Sequence, residues 1–134
     1  MTHIAHNFEK LPIDVLFVED EKLMRNSIAE IMRRRVNKVF VADNGQMGLE
    51  LYKLHHPQVI LTDIRMPVMT GLEMLQEIRK EDDNTKVIII SAHSDTEYFQ
   101  KAINLGVDGF LLKPVNVEMV IKQVIKPKDL KELL

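Results

Sequence analysis

The sequence of 134 residues contains no cysteine, which excludes disulfides, thiolate metal sites and thiol nucleophiles. It has no apolar run of membrane-spanning length, and its N-terminus lacks the apolar core of a signal peptide. It also lacks a large excess of either charge, because 18 Lys and Arg residues stand against 20 Asp and Glu residues, a formal net charge of −2. A nucleic-acid-binding domain typically carries a broad basic surface. We therefore expect a cytoplasmic domain that binds neither membranes nor nucleic acid directly.

The length and composition indicate one compact domain. Hydrophobic residues make up 46% of the chain and charged residues 28%, which is ordinary for a globular protein. A chain of this mass can bury about two-thirds of its unfolded surface, enough for a full core. The ordered pattern described below runs over residues 13–126. We therefore expect an N-terminal arm at 1–12 and, at 127–134, a C-terminal tail or the start of a linker to a further domain.

Short apolar runs alternate with longer stretches of helical periodicity. The runs are hydrophobic throughout, which is typical of strands covered on both faces; they span residues 13–18, 38–42, 58–62, 86–91 and 109–112. The helical stretches span roughly residues 22–35, 45–55, 71–80, 95–105 and 117–126. This alternation predicts a parallel sheet with helices on both faces, a doubly wound α/β sandwich. The expected helix boundaries are the capping boxes Thr70-x-x-Glu73 and Ser94-x-x-Glu97, the N-cap Asn116, the left-handed Gly106 and the helix-ending Pro127.

Polar side chains stand at the ends of four predicted strands. Ligands of an open parallel sheet bind outside the carboxyl ends of its strands. These positions hold the pair Glu19-Asp20, then Asp63, Ser91 and Lys113 followed by Pro114. Taken singly, each is equally well a loop or helix-cap residue. Their recurrence at equivalent positions makes them the candidate functional site.

The segments VLFVED, LTDIRMPVMTGLEML, IIISAHSD and GFLLKPV, in this order, resemble the receiver domain of two-component response regulators. The resemblance covers about residues 13–126. It implies a flavodoxin-like (βα)5 sandwich with strand order 2-1-3-4-5. It also implies that Asp63 accepts a phosphoryl group from a sensor histidine kinase or phosphotransfer protein. Such a domain is a signalling switch rather than a turnover enzyme.

Charge favours a divalent cation at this site. In the implied strand order the first and third strands are neighbours about 4.8 Å apart, so the carboxylates of Glu19, Asp20 and Asp63 crowd together. Two such charges about 5 Å apart repel by roughly 3 kcal/mol at an effective dielectric of 20. Oxygen ligands completed by water and phosphate suit Mg²⁺. The resemblance implies that Asp20, Asp63 and the backbone carbonyl of Arg65 bind this metal, with Glu19 acting largely through water.

The resemblance also implies roles for the residues around the acceptor. Lys113 supplies an ammonium and Ser91 a hydroxyl to the phosphoryl oxygens, which makes them the catalytic partners of Asp63. Ala92 is small and leaves space for the phosphoryl group. The peptide bond between Lys113 and Pro114 is often cis in this family.

A conformational switch is implied as well. Ser91 moves toward the phosphoryl group and Phe110 turns into the vacated space, which remodels the surface formed by the fourth helix, fifth strand and fifth helix. That surface would engage an output domain, a downstream protein or a second copy of the chain. Arg65 and His93 flank the site and influence the lifetime of the phosphoryl group. Phe110 is equally well a core aromatic, and Arg65 and His93 are equally well exposed loop residues.

Three other functions share part of this pattern. An aspartate-dependent phosphohydrolase places its nucleophile on the first strand with a second acid two residues later, whereas Asp63 follows the third strand and has Arg65 at that distance. A flavodoxin needs a hydroxyl- and glycine-rich loop after the first strand, where this chain has EDEK. A pseudo-receiver that only binds partners is disfavoured, because all the phosphorylation residues are present.

Overall fold

The structure is a computed structural model that describes residues 9–92 and 96–126. Five strands and five helices alternate along them: β1 (Leu11–Val18), α1 (Lys22–Met32), β2 (Val36–Ala42), α2 (Gly45–His55), β3 (Val59–Asp63), α3 (Gly71–Arg79), β4 (Lys86–Ser91), α4 (Thr96–Asn104), β5 (Gly109–Leu112) and α5 (Val117–Ile125). The strands form one parallel sheet in the order β2-β1-β3-β4-β5. This confirms the predicted doubly wound α/β sandwich and its strand order. No helix of the described residues has the length and apolar character of a membrane span.

The sheet is covered by helices on both faces, which explains why its strands are hydrophobic throughout. Alternate residues of β1 enter two separate cores. Val15 and Phe17 pack into a cluster that includes residues of α1 and α5. Leu16 and Val18 pack into the opposite cluster, which includes residues of α2, α3 and α4. All four side chains are fully buried, so β1, which lies between β2 and β3, holds its two neighbours in fixed register.

The boundaries of α1 and β2 differ from those predicted. The sequence predicts a helix to residue 35, but α1 ends at Met32 with Arg33 as its C-cap. The next two residues form tight turns, because the Arg35 N–H bonds to the Met32 carbonyl at 2.8 Å. The Arg35 carbonyl then accepts from Leu11 N–H at 2.8 Å, which starts the pairing of β1 with β2. As a result β2 begins two residues earlier than predicted, and so does β1.

Three of the predicted capping signals are present. Thr70 and Glu73 form a capping box at the start of α3, and the Asn116 side chain accepts from Met119 N–H at 2.9 Å. Gly106 adopts the left-handed conformation that follows α4. The predictions for Ser94 and Pro127 lie outside the described residues, as does that for His93.

Candidate functional site at the carboxyl edge of the sheet

Three carboxylates meet at the carboxyl ends of β1 and β3. Glu19 and Asp20 follow β1 directly, and Asp63 is the last residue of β3. The two strands pair in register up to Val18 and Thr62, so the next residues are brought side by side. One oxygen of each carboxylate lies within 4.8 Å of the others. Glu19 is fully buried and Asp63 nearly so, whereas Asp20 is exposed.

The Lys113 side chain closes the site from the far side of β4. Its ammonium lies 2.7 Å from Asp63 Oδ2 and donates a hydrogen bond to it, and it lies 3.0 Å from Glu19 Oε1. Burial by itself lowers the pKa of Lys113, but the two carboxylates outweigh burial and raise that pKa above its ordinary value. The ammonium is therefore fully charged at neutral pH.

The buried carboxylate of Glu19 is only partly satisfied. Its Oε2 accepts a hydrogen bond from Glu21 N–H at 3.0 Å. Its Oε1 is the one buried side-chain nitrogen or oxygen of the described residues that has no hydrogen bond, since the nearby Lys113 ammonium forms an ion pair outside hydrogen-bond geometry. Burial is the main cause that raises the pKa of Glu19 above its ordinary value, and the neighbouring Asp63 adds to it. A buried carboxylate oxygen that lacks a hydrogen bond can accommodate a further cation.

Local backbone geometry fixes the position of Asp63. Its Oδ1 accepts from Arg65 N–H at 3.3 Å, and its carbonyl accepts from the Thr62 hydroxyl at 2.8 Å. Gly71, the first residue of α3, comes so close that a Cβ there would lie 2.0 Å from the Asp63 carbonyl oxygen. Only glycine fits at this approach, so the start of α3 is pressed against the end of β3.

The remaining predicted site residues lie around this cluster. Ser91 is the last residue of β4, is buried, and bonds through its carbonyl to Lys113 N–H at 2.9 Å. Ala92 follows it as an exposed bend. Pro114 is exposed and its peptide bond with Lys113 is cis. Strands β3 and β4 pair up to Asp63 and Ile90, so Ser91 ends the strand beside that of Asp63.

Phe110 and Arg65 both contact α4. The Phe110 ring on β5 meets the Phe99 ring edge to face, with centroids 4.6 Å apart, and is partly buried. The guanidinium of Arg65 lies 5.0 Å from the centre of the Tyr98 ring, in cation–π geometry. Sequence reasoning missed this role for Tyr98. The sequence offered one signal for it: an aromatic residue in the first turn of α4, the helix that follows β4, and β4 is the neighbour of β3.

A second missed residue is Arg25, on the first turn of α1. Its guanidinium donates to the backbone carbonyl of Glu19 at 2.9 Å and more weakly to that of Asp20 at 3.4 Å. The signal that could have found it is a basic residue one turn after an acidic strand end. The site therefore combines three carboxylates with one ammonium directly, and with a second cation through the backbone.

Comparison with known proteins identifies this arrangement. A family model described as "Response regulator receiver domain" matches residues 15–125. The chain belongs to the response regulator receiver family. It is 32% identical to the chemotaxis protein CheY of Halobacterium salinarum, over 82% of this chain and 92% of that protein. It is 31% identical to the nitrate/nitrite response regulator NarL of Escherichia coli, over 83% of this chain and 52% of that protein. The receiver thus spans nearly all of the first relative and about half of the second.

Solved structures agree with this assignment. The N-terminal domain of an uncharacterized protein from Wolinella succinogenes is 41% identical, with a TM-score of 0.80 over 84% of this chain and 90% of that one. The CheX–CheY–BeF₃–Mg complex from Borrelia burgdorferi is 28% identical, with a TM-score of 0.78 over 86% of this chain and 88% of that one. The chain is therefore the receiver domain of a two-component response regulator, as the sequence predicted.

Proposed function

We propose that Asp63 is the phosphoacceptor of this receiver, with Lys113 and Ser91 as its catalytic partners. The observation that carries the proposal is the convergence of three carboxylates and one ammonium at the carboxyl edge of the sheet. In the proposed step an Asp63 carboxylate oxygen attacks phosphorus in line, and the bond from phosphorus to the donor's nitrogen or oxygen breaks. An acyl phosphate forms, and the donor group leaves with the bonding electrons.

The side chains supply positioning and charge for this step. The Lys113 ammonium lies 2.7 Å from Asp63 Oδ2 and holds that carboxylate in place by an ion pair. The ammonium can move to contact the phosphoryl oxygens, because the lysine side chain is flexible and its ammonium has three N–H donors. Ser91 ends the neighbouring strand and offers a hydroxyl donor to a phosphoryl oxygen. The exposed, small Ala92 beside it leaves an approach for the donor.

The carboxylate cluster fits Mg²⁺. We propose that Asp20, Asp63 and the backbone carbonyl of Arg65 hold the ion, with Glu19 acting largely through water. Two observations support this assignment: Oε1 of Glu19 has no hydrogen bond, and three carboxylates face one ammonium. An all-oxygen donor set also suits a hard cation. When bound, Mg²⁺ supplies positive charge that offsets the carboxylates and the phosphoryl oxygens.

Phosphorylation is proposed to act on the surface formed by α4, β5 and α5. Within this surface Phe110 of β5 contacts Phe99 of α4, and Arg65 near the acceptor contacts Tyr98 of the same helix. Leu112 on the edge strand β5 is 52% exposed. The sensor kinase or phosphotransfer protein is then the upstream partner, and an output domain, a downstream protein or a second copy of the chain is the reader. We propose that the receiver unit spans residues 13–126 of the chain and that Arg65 and His93 influence the lifetime of the phosphoryl group. The greater length of relatives such as NarL supports an output domain.

If Phe110 acts as a switch residue, Phe110→Ala should impair the response of α4 without preventing phosphorylation. Labelling of the site by a phosphoryl donor should persist, because Phe110 contacts α4 rather than the carboxylates. The change in hydrogen exchange of α4 upon phosphorylation should be reduced. Equal loss of labelling and of the α4 response would count against a switch role for this ring.

The acceptor assignment is tested by intact-mass measurement after incubation with Mg²⁺ and acetyl phosphate or a cognate kinase. We expect the wild-type chain to gain the mass of one phosphoryl group and Asp63→Asn to gain none. The matched control is Asp43→Asn, because Asp43 is an exposed carboxylate that follows β2 at the same edge of the sheet. Labelling that persists in Asp63→Asn would overturn the assignment. A wild-type chain that never labels would favour a receiver that only binds partners.

A further inference from the structure

Arg25 joins the first turn of α1 to the backbone of the acidic pair. Its own N–H makes the first bond of the helix, to the Glu21 carbonyl at 2.9 Å. Its side chain folds back, so that Nη1 lies 2.9 Å from the Glu19 carbonyl oxygen and 3.4 Å from that of Asp20. The residue is half-buried, so its long side chain is held between the helix and the loop.

Residues 19–21 form the loop between β1 and α1, and the other hydrogen bonds of this loop involve its backbone N–H groups. Glu19 N–H donates to the Ala42 carbonyl of β2 at 3.0 Å, and Glu21 N–H donates to the Glu19 carboxylate at 3.0 Å. Both bonds engage N–H groups of the loop, whereas Arg25 engages its carbonyls. The peptide plane between Asp20 and Glu21 is therefore held through both its carbonyl and its N–H, and the plane between Glu19 and Asp20 is held through its carbonyl. A rotation of either plane would move the carboxylates apart.

We propose that Arg25 is a positioning residue that sets the Mg²⁺ affinity of the site by fixing the backbone of Glu19 and Asp20. The inference rests on the proposed function, since it takes these carboxylates as part of the metal site. Groups that orient metal ligands without touching the metal commonly change metal affinity by roughly 10- to 100-fold when mutated. Arg25 would act in this way through backbone carbonyls rather than through a ligand's ring or carboxylate.

Charge and position make opposite predictions for this residue. As a cation near the cluster, Arg25 repels Mg²⁺, so its removal would tighten binding. As a positioning group, it brings the carboxylates together, so its removal would weaken binding. Arg25→Lys separates the two effects further, because lysine keeps the charge but replaces the rigid guanidinium, whose Nη1 reaches both carbonyls, with a flexible ammonium.

The experiment is a calorimetric Mg²⁺ titration of the full chain after removal of divalent cations. We expect the dissociation constant to rise roughly tenfold in both Arg25→Lys and Arg25→Met. The matched control is Arg79→Met, because the Arg79 guanidinium also donates to backbone carbonyls away from the site. These are the carbonyls of Leu105 at 2.7 Å, Gly106 at 3.0 Å and Asp82 at 3.1 Å. This control variant should lose stability without a change in Mg²⁺ affinity. If Arg25→Met does not fold, the lysine variant decides alone.

A second readout distinguishes a positioning role from general damage. Labelling by acetyl phosphate should need more Mg²⁺ in the Arg25 variants but return close to the wild-type rate when Mg²⁺ saturates. Unchanged or tighter Mg²⁺ binding in the Arg25 variants would overturn the inference, as would a labelling rate that stays low at saturation. If the wild-type chain labels normally in those cases, the proposed function stands and only the role of Arg25 fails. If the wild-type chain neither binds Mg²⁺ nor labels, the proposed function fails and this inference with it.

Discussion

Replacing Lys113 with methionine removes the one ammonium that, in the part of the chain that the structure describes, pairs with the carboxylates of Glu19 and Asp63. Methionine has a similar length and fills the same space without charge or donors. The Lys113 ammonium lies 2.7 Å from one carboxylate and 3.0 Å from the other. Its side chain is 21% exposed, while Glu19 is fully buried. The substitution therefore leaves buried negative charge without a counter-charge in the absence of metal.

The loss in free energy of unfolding caused by Lys113→Met can be bounded from these distances. At an effective dielectric of 20, the two attractions are about 6 and about 5.5 kcal/mol. The desolvation of the ammonium offsets several kcal/mol of this sum, and removing one partner of a buried pair typically costs about 3–5 kcal/mol. Because Lys113 keeps some contact with solvent, we expect about 3 kcal/mol, the lower end of that range. In a chain of this size that lowers the melting temperature by about 10 °C.

Urea unfolding in EDTA at several pH values measures this effect. The control is Lys101→Met, whose ammonium lies 3.9 Å from Glu97 with both side chains well exposed, and which should stay within about 0.5 kcal/mol of the wild type. The deficit of Lys113→Met should shrink as the pH falls, because burial raises the pKa of Glu19 and a Glu19 without its ammonium takes up a proton more readily. Saturating Mg²⁺ should also recover part of it. A deficit no larger than that of Lys101→Met, or one independent of pH, would refute the reasoning.

Three further substitutions test other parts of the structure. Glu19→Gln should stabilise the metal-free chain at pH 7. Burial raises the pKa of Glu19, so its ionised form costs folding stability at pH values above its ordinary pKa of 4.5. The gain should fade below that pH, and a variant less stable than the wild type at pH 7 would contradict the prediction. Asp82→Asn should cost about 1–2 kcal/mol in urea unfolding. Hydrogen bonds from Thr85 and Tyr52 lower the pKa of Asp82, so its contribution is present above about pH 4 and is lost as the pH falls further; an equal cost at pH 2 would contradict this. Val68→Asn should raise the free energy of unfolding by about 1 kcal/mol. Val68 is 83% exposed and has a φ of +70°, a left-handed conformation that asparagine tolerates better than valine. An unchanged melting temperature would count against strain at this residue.

The fold was predictable because each of its elements carries a local signal. Continuous apolar runs mark the five strands, and capping residues such as Thr70 and Asn116 mark helix starts. The end of α1 was not predictable in this way. The basic run from Arg33 onward suits the negative pole of a helix, but the chain must leave the helix early so that the Arg35 carbonyl can pair with Leu11. A long-range strand contact overrode the local preference.

The strand order was not contained in the pattern of apolar runs. Alternation of strands and helices predicts a parallel sheet, but several orders satisfy it. The order 2-1-3-4-5 came from the resemblance of the strand-end motifs to a family. That order is what places Asp63 beside Glu19 and lets Lys113 reach both across β4.

Contacts inside the site depended on side-chain directions that no sequence spacing specifies. The sequence predicted that acidic groups and a lysine share one edge. It could not predict that Glu19 would be fully buried with one oxygen lacking a hydrogen bond. Nor could it predict that Arg25 folds back onto the carbonyls of the acidic loop. Both depend on how α1 packs against the sheet, which is a tertiary property.

The two edges of the sheet differ in how fully their carboxylates are hydrogen-bonded. At the amino edge the Asp82 carboxylate accepts hydrogen bonds from both Tyr52 and Thr85, and its pKa is lowered. At the carboxyl edge the pKa of Glu19 is raised and one of its oxygens has no hydrogen bond. Among the described residues, the carboxyl edge is therefore where an added positive charge would raise stability. At the amino edge the Asp82 carboxylate already accepts its hydrogen bonds, so a cation would add less there. We therefore expect the dependence of folding stability on Mg²⁺ to come mainly from the carboxyl edge.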